Sequence, residues 1–220
     1  KNRLLASQTG KDLESLLPYF ESVWLSSQQN IHSPFDSFDY IYFPETAVIS
    51  EYQMLEDGRT VEVAMIGNEG VTGLLALTGE QRAINSVNVL VQGQAYRIKT
   101  DILKERFFGN QSLQSLYWSF LQNYTIQIST RITCVSFHNL EQRLASRLLM
   151  IQNLAGQRSF DLTHEQISEA LGAHRPTISN IAYELKNKKI INYFRKSITI
   201  VNQAALERTA CECYKNIDAV

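Results

Sequence analysis

Arg175, Thr177, Ser179 and Asn180 place a guanidinium, two hydroxyls and a carboxamide within six consecutive residues, and Tyr183 adds a phenol one turn further on. These groups suit the edges and backbone of a nucleic acid. Arginine can donate two parallel hydrogen bonds to O6 and N7 of guanine, asparagine can pair with adenine, and small hydroxyls can hold phosphate oxygens. His174 and Pro176 flank the arginine. His174 either touches a phosphate or caps a helix, and capping is the preferred reading. Lys188, Lys189, Arg195 and Lys196 follow as cations suited to backbone phosphates, with an ordinary solvated surface as the alternative.

Such a set can read DNA only if it stands on one face of a helix held in place by another. The flanking residues supply that frame. Ile167, Ala170 and Leu171 form the apolar face of a short helix, with Thr163 as its N-cap and Gln166 completing a capping box. Gly172 suits the tight turn that follows. Ile178, Ile181, Ala182 and Leu185 then recur at i, i+3, i+4 and i+7, which puts the polar residues on the opposite face of a second helix. Lys186, Lys188 and Lys189 near its end suit the helix dipole. Residues 190–201 read as a β-hairpin turning at Arg195-Lys196. Helix, turn, helix and basic hairpin make a winged helix-turn-helix with double-stranded DNA as its partner. A packed αα-hairpin shows the same periodicity, but the turn glycine, polar face and basic wing favour DNA.

A chain of 220 residues suits two domains or one large one, and its ten Phe and ten Tyr help fill real cores. No apolar run approaches the ~18 residues of a membrane span, and no basic-then-apolar leader is read at the N-terminus. The expectation is a cytoplasmic protein without a membrane partner. The first residue is Lys1 rather than Met, so a short unstructured start is expected ahead of it. Cys134, Cys211 and Cys213 are an odd set without framework spacing, which fits a reducing compartment. Cys134 reads as a buried small residue, and one Cys-x-Cys without further ligands is a poor metal site. No metal and no resident cofactor are therefore expected, with a disulfide switch at Cys211 and Cys213 as a weaker alternative. The net charge of −1 hides an asymmetry: from Leu140 onward eleven Lys and Arg face eight Asp and Glu (+3), and before it ten face fourteen (−4). A mildly basic C-terminal part suits contact with phosphates through a small patch.

Upstream, Leu13, Leu16 and Leu17 predict a short opening helix ended by Pro18. From about residue 23 to 98, short β-rich runs alternate with turn signals. Tyr40-Ile-Tyr-Phe43 precedes Pro44, Asp57-Gly58 separates two runs as a hairpin turn, and Ser86-Val-Asn-Val-Leu-Val91 follows a cluster of glycines. Regular short strands of this kind predict a sandwich or barrel. A long helix is predicted over 111–136, where Leu113, Tyr117, Phe120, Tyr124, Ile128, Ile132 and Val135 recur every three or four residues. At ~25 residues it would run nearly 40 Å, more than one small core needs, so dimerisation through this stripe is expected. Packing of the stripe on the β-domain is the alternative. Asn139 is placed to cap the next helix, Leu140, Leu144, Leu148 and Ile151 form its core face, and Gly156 ends it.

In this order the elements resemble the cyclic-AMP receptor protein / fumarate-nitrate regulator (Crp/Fnr) family. The resemblance covers essentially the whole chain. It is carried by Tyr42-Phe-Pro44, Asp57-Gly58, Val61-Glu-Val63, Gly67-Asn-Glu-Gly70, Glu141-Gln-Arg-Leu-Ala-Ser-Arg-Leu-Leu149, Leu162-Thr163, Leu171-Gly-Ala-His-Arg-Pro176 and the closing Cys211-Glu-Cys-Tyr214. It implies an α+β protein with three parts. Residues 1–110 would form an effector-sensing β-roll, a cupin-like jelly roll of the cyclic-nucleotide-binding-domain type. Residues 111–137 would form the long dimerisation helix, and 138–220 a winged helix-turn-helix. The implied function is that of a homodimeric bacterial transcription regulator, not an enzyme, meeting RNA polymerase if it activates.

The same resemblance limits what carries over. Nucleotide-binding members have a Gly-Glu motif and then an Arg-Ser pair that holds the cyclic phosphate. Here Glu69 matches the glutamate, but the pair falls at Ala83-Ile84 when counted without a gap. Arg82 lies one residue early, and strand alternation would turn it to the opposite face. Ile128 and Ser129 fall at the purine contacts. Losing a charge-assisted pair worth ~1.5–3 kcal/mol predicts no tight response to cyclic AMP, and leaves an unidentified small-molecule effector around Glu69, Arg82, Ile128 and Ser129. In the recognition helix Arg175 matches the family's first reading residue, Pro176 replaces its glutamate, and Ser179 and Asn180 stand later. Proline is tolerated in the first turn but cannot accept from cytosine N4, so a different half-site is expected. The alternative function is a ligand-sensing β-roll protein whose C-terminal domain contacts other proteins. A β-barrel metalloenzyme is disfavoured, because His32 is the only histidine of the β-rich region.

Overall fold

The computed structural model describes residues 2–6, 15–79 and 82–215. The chain divides into two compact units, residues 1–51 with 65–124 and residues 52–64 with 125–220. The opening helix predicted around Leu13 lies partly outside the described residues. Leu16 is buried, and Leu17–Tyr19 form one 3₁₀ turn around Pro18.

The first unit starts with α1 (Arg3–Ala6) and is then built from strands. These are β1 (Glu21–Leu25), β2 (Asn30–His32), β3 (Tyr40–Pro44), β4 (Val48–Met54), β5 (Thr60–Ile66), β6 (Ser86–Val91) and β7 (Gly93–Lys99), of which residues 52–54 of β4 and 60–64 of β5 count with the second unit. They form two sheets of order β1-β7-β3 and β2-β6-β4-β5, the expected β-roll. Both β1 and β3 run antiparallel to β7, with Glu21 opposite Arg97 and Ile41 opposite Ile98. Alternation sets β3, where Ile41 and Phe43 turn inward between half-buried Tyr40 and Tyr42. Gly93 opens β7 because any Cβ there would collide with the backbone of Thr46 and Ala47. The β4–β5 turn is Asp57-Gly58, with Gly58 left-handed at φ 83°.

Ile41, Phe43, Leu74, Ile98, Leu103 and Phe107 form one core of this unit, the last two from α2 (Thr100–Phe107). Leu113, Leu116 and Tyr117 of α3 (Gln111–Phe137) complete it. This corrects the dimerisation stripe. Leu113 and Tyr117 are 6% and 4% exposed within their own chain, so neither has surface left for a partner. Phe120 packs half-buried on the same core, and Tyr124 donates its hydroxyl to Glu51 at 2.7 Å. Ile128 is half-buried, and of the seven residues of the stripe only Ile132 and Val135 stay exposed. A heptad-like period shows that a helix has an apolar face, not what covers it.

The second unit contains α4 (Leu140–Ala155), β8 (Ser159–Asp161), α5 (His164–Leu171), α6 (Arg175–Asn187), β9 (Ile191–Phe194), β10 (Ser197–Ile200) and α7 (Gln203–Thr209). Asn139 caps α4 in a complete capping box with Gln142, and left-handed Gly156 ends it. Leu144, Leu148 and Ile151 are buried as the periodicity requires, whereas Leu140 is only half-buried. The helix is in fact enclosed all round from Leu144 to Ile151, including Arg147 at 0% exposure. That guanidinium pairs with Glu62 of β5, itself 2% exposed, and Arg131 lies 3.8 Å from the same carboxylate. In β5 the alternation thus favours the acid: Glu62 is buried while Val61 and Val63 are only half-buried. Among the described residues no helix is long and apolar enough to cross a membrane.

Candidate nucleic-acid interface

Local signals build the two-helix frame. The Thr163 side chain accepts from the Gln166 amide and the Gln166 side chain returns the bond, closing a capping box at the start of α5. Such a cap contributes about 1 kcal/mol. Gly172 ends α5 in the left-handed region at φ 58°, and its amide bonds back to the last turn. Ile167, Ala170 and Leu171 of α5 and Ile178, Ala182 and Leu185 of α6 are all buried, with Ile181 half-buried. Beyond α6, β9 and β10 form the wing, with β8 on the other side of β10. Arg195 takes φ 57° at the wing's turn, and the carbonyl of Lys196 accepts from the Leu162 amide at 2.7 Å. The wing tip is therefore tied to the segment leading into α5.

Folding leaves one side of this frame polar and open. His174, Arg175, Pro176, Thr177, Asn180 and Tyr183 are exposed, as are Lys188, Lys189, Arg195 and Lys196. His174 takes the N-cap position of α6, but its side chain makes no capping bond. Pro176 sits in the first turn, where its missing N–H costs nothing. Arg175 rests 3.3 Å from Glu165 of α5, and Lys188 rests 3.2 Å from Glu141 of α4. Ser179 is less available than its spacing suggests. It is half-buried and hydrogen-bonded to His164 Nδ1 at 3.0 Å. His164 in turn stacks on Tyr193 of the wing, with ring centroids 4.2 Å apart. Burial, with Arg175 nearby, holds this imidazole below the ordinary histidine range and so favours the neutral ring. Lys186 adds a second tie, donating to the Tyr193 carbonyl at 3.1 Å. Glu165, His164 and Tyr193 carry no periodic or motif signal, and sequence reasoning missed them as supports of α6.

The first unit holds a separate cavity of about 60 Å³. Phe120, Leu121 and Tyr124 of α3 form one wall, and Val71, Leu74 and Val87 are among the apolar residues opposite. Its polar element is Glu51, which accepts from Thr72 at 3.1 Å and from Tyr124 at 2.7 Å. Burial pushes this carboxyl above its ordinary range, against the effect of its hydrogen bonds. Ala83 and Ile84 line the cavity, whereas Arg82 and Glu69 do not. Arg82 is exposed and donates to the Phe35 carbonyl at 3.0 Å; it lies in an isolated bridge to Ser37 and not in a strand, so strand alternation does not set its direction. Glu69 accepts from the Gly67 amide at 3.0 Å. Ile128 and Ser129 belong to the second unit, half-buried and exposed respectively. The four residues assigned to an effector are thus not brought together at this cavity. Glu51, Thr72, Asn85 and Tyr124, far apart in sequence, supply its polar groups.

Residues 142–209 match the Crp-like helix-turn-helix domain family. The global nitrogen regulator of Synechococcus elongatus is 23% identical over 189 residues, covering 82% of this chain and 85% of the relative. A regulator of the crp/fnr family from Eubacterium rectale has a similar fold, with a TM-score of 0.74 at 16% identity over 94% of this chain and 96% of its own. FixK2 from Bradyrhizobium japonicum gives 0.70 at 18% identity over 87% and 98%.

Proposed function

We propose that this chain, which belongs to the Crp/Fnr family of DNA-binding transcription regulators, works as a cytoplasmic homodimer on a roughly palindromic operator. The observation that carries the reading is the exposed polar face of α6, set on a capped partner helix and flanked by a basic wing tip. Arg175 is assigned to a guanine, Asn180 to an adjacent base, and Thr177 with Lys189, Arg195 and Lys196 to phosphates. Ser179 positions His164, and Lys188 reaches phosphate only by leaving Glu141. The dimer seam is assigned to the side of α3 that stays exposed. Trp118, Gln122, Thr125, Ser129 and Ile132 recur there at alternating steps of four and three, the period of a two-helix coiled coil. Half-site centres then lie about one DNA turn, ~34 Å, apart. RNA polymerase is the further partner where the operator position makes the protein an activator.

The effector is assigned to the cavity that α3 walls in the first unit. Its lining is apolar around one buried carboxyl, and Ala83 and Ile84 stand where an anionic phosphate would need a cation and a hydroxyl. A compact uncharged molecule fits this chemistry and cyclic AMP does not. The test is selection of DNA from a random pool at fixed salt, with wild type and Arg175→Ala. A palindromic motif is expected, with Arg175→Ala weakening it by ~1–3 kcal/mol and relaxing one base position. An unchanged motif and affinity would remove Arg175 from the readout. No salt-dependent DNA binding at all would favour a protein-contact role for the C-terminal unit.

A further inference from the structure

Four ligand-type side chains converge beside the end of α3, all within the second unit. Cys134 and His138 are one helical turn apart, and the His138 amide still bonds to the Cys134 carbonyl at 3.1 Å. Cys211 and Cys213 come from the segment after α7. One potential ligand atom from each of the four lies within 4.8 Å of every other. The donors that a lone Cys-x-Cys lacks in sequence are thus supplied by folding, from more than seventy residues away. Cys134 is buried, as expected of it, but not as an isolated small residue.

The distances have a particular meaning. Tetrahedral zinc holds sulfur at about 2.3 Å and imidazole nitrogen at about 2.0–2.1 Å, which fixes the S···S edge near ~3.8 Å and the S···N edge near ~3.6 Å. The Cys134 and Cys211 sulfurs are 3.6 Å apart, and Cys213 Sγ is 3.5 Å from His138 Nδ1. The imidazole is also oriented for ligation. Its Nε2 lies 3.4 Å from a carboxylate oxygen of Glu212, which leaves Nδ1 turned to the sulfurs and matches the carboxylate–histidine arrangement common behind zinc ligands. Ser146 Oγ fixes Cys211, lying 2.9 Å from its sulfur and accepting from its amide at 3.0 Å. Three thiolates around a divalent ion leave one net negative charge. Arg131 lies in the field of Cys134, and Arg143 in that of both Cys134 and Cys211.

We propose that Cys134, His138, Cys211 and Cys213 form a closed Cys₃His site for zinc. Binding displaces the thiol protons to solvent and joins the ends of α3 and of the post-α7 segment through one ion. Its role is structural, because four protein ligands leave no open position for substrate or water. Arg131 and Arg143 extend that role toward the DNA-reading frame, donating to the carbonyls of Ala170 and Leu171 at the end of α5. This inference does not depend on the operator or on any effector.

The test is zinc content of the full chain, reconstituted with Zn²⁺ under reductant, desalted and measured by emission spectrometry. About one zinc per protomer is expected, with loss in Cys213→Ser and His138→Ala. Cobalt substitution should give the intense visible bands and thiolate charge-transfer absorption of a tetrahedral Cys-ligated ion. Should those variants fail to fold, Glu212→Gln keeps all four ligands and should weaken zinc binding by ~10–100-fold in a chelator competition. Zinc well below one per protomer in the reduced wild type, or a six-coordinate cobalt spectrum, would overturn the proposal. So would full zinc retention in folded Cys213→Ser and His138→Ala.

Discussion

Replacing Glu62 by Ala would leave Arg147 in the interior of the second unit without its carboxylate. Glu62 is 2% exposed and Arg147 0%, so water cannot take over the lost interaction. Arg131, 3.8 Å from the same oxygen and 17% exposed, loses its nearby acid as well. At an effective dielectric of about 20, each guanidinium at such a distance interacts with the carboxylate by ~4 kcal/mol. Relaxation and residual hydration reduce that sum, and breaking one side of a buried pair typically costs about 3–5 kcal/mol. At ~4 °C or more per kcal/mol for a unit of about 110 residues, the second unit should melt at least ~12–20 °C lower. Both tryptophans, Trp24 and Trp118, belong to the first unit, so fluorescence would miss the change. Hydrogen exchange of the α4 amides reports it directly. The decisive control is Glu62→Leu with Arg147→Met, which removes both charges and should recover most of the loss. A Glu62→Ala cost below ~1 kcal/mol, or a double variant as unstable as the single one, would refute the reasoning.

Other outcomes follow from the same geometry. Lys196→Ala should weaken binding to all DNA sequences together and lower the salt slope by about one, measured by titration at several salt concentrations. Gly172→Ala places a Cβ on a left-handed residue and should cost ~1–2 kcal/mol in denaturant unfolding; its nearest new neighbour would be Val61 at an ordinary 3.7 Å, so a much larger loss would contradict a purely conformational cause. Glu51 has its folded-state pKa raised by burial, so its contribution to stability is complete below its ordinary value of 4.5 and is lost as pH rises through the raised one. Glu51→Gln should flatten that alkaline-side decline in tryptophan-monitored melting, and an unchanged slope would show that Glu51 is not its source.

What could be read from the chain follows the range of the interaction. Asn139 with Gln142 and Thr163 with Gln166 are bonds between residues three apart, and Gly58, Gly156 and Gly172 each answer a local backbone demand. All were visible as residue types at fixed spacing. The wing was equally legible, because β9 and β10 are joined by a short turn. Long-range partnerships were not. The period of α3 announces an apolar face at Leu113 and Tyr117 but is silent on whether a second chain or the β-roll covers it. Arg147 looks like a solvated residue on a helix until Glu62, 85 positions away, is brought against it. Cys134 and His138 likewise have no visible connection to Cys211 and Cys213. In α6 the exposure of Arg175 and Asn180 follows from the helical period alone, but the engagement of Ser179 by His164 depends on how α5 and the wing pack.

The rest position of Arg175 against Glu165 also bears on how a target is found. Both side chains are more than half exposed, so the pair is worth only ~0.2–1 kcal/mol. Where Arg175 reads a guanine as proposed, a regulator held on random sequence through phosphates slides and hops, and the arginine then has no reason to leave its acid. A correctly placed guanine offers two hydrogen bonds in exchange. In that proposed reading the arginine travels sheathed and is drawn only where the exchange is favourable. A difference of ~1 kcal/mol lengthens dwell about fivefold, enough to separate a scanning complex from one that halts.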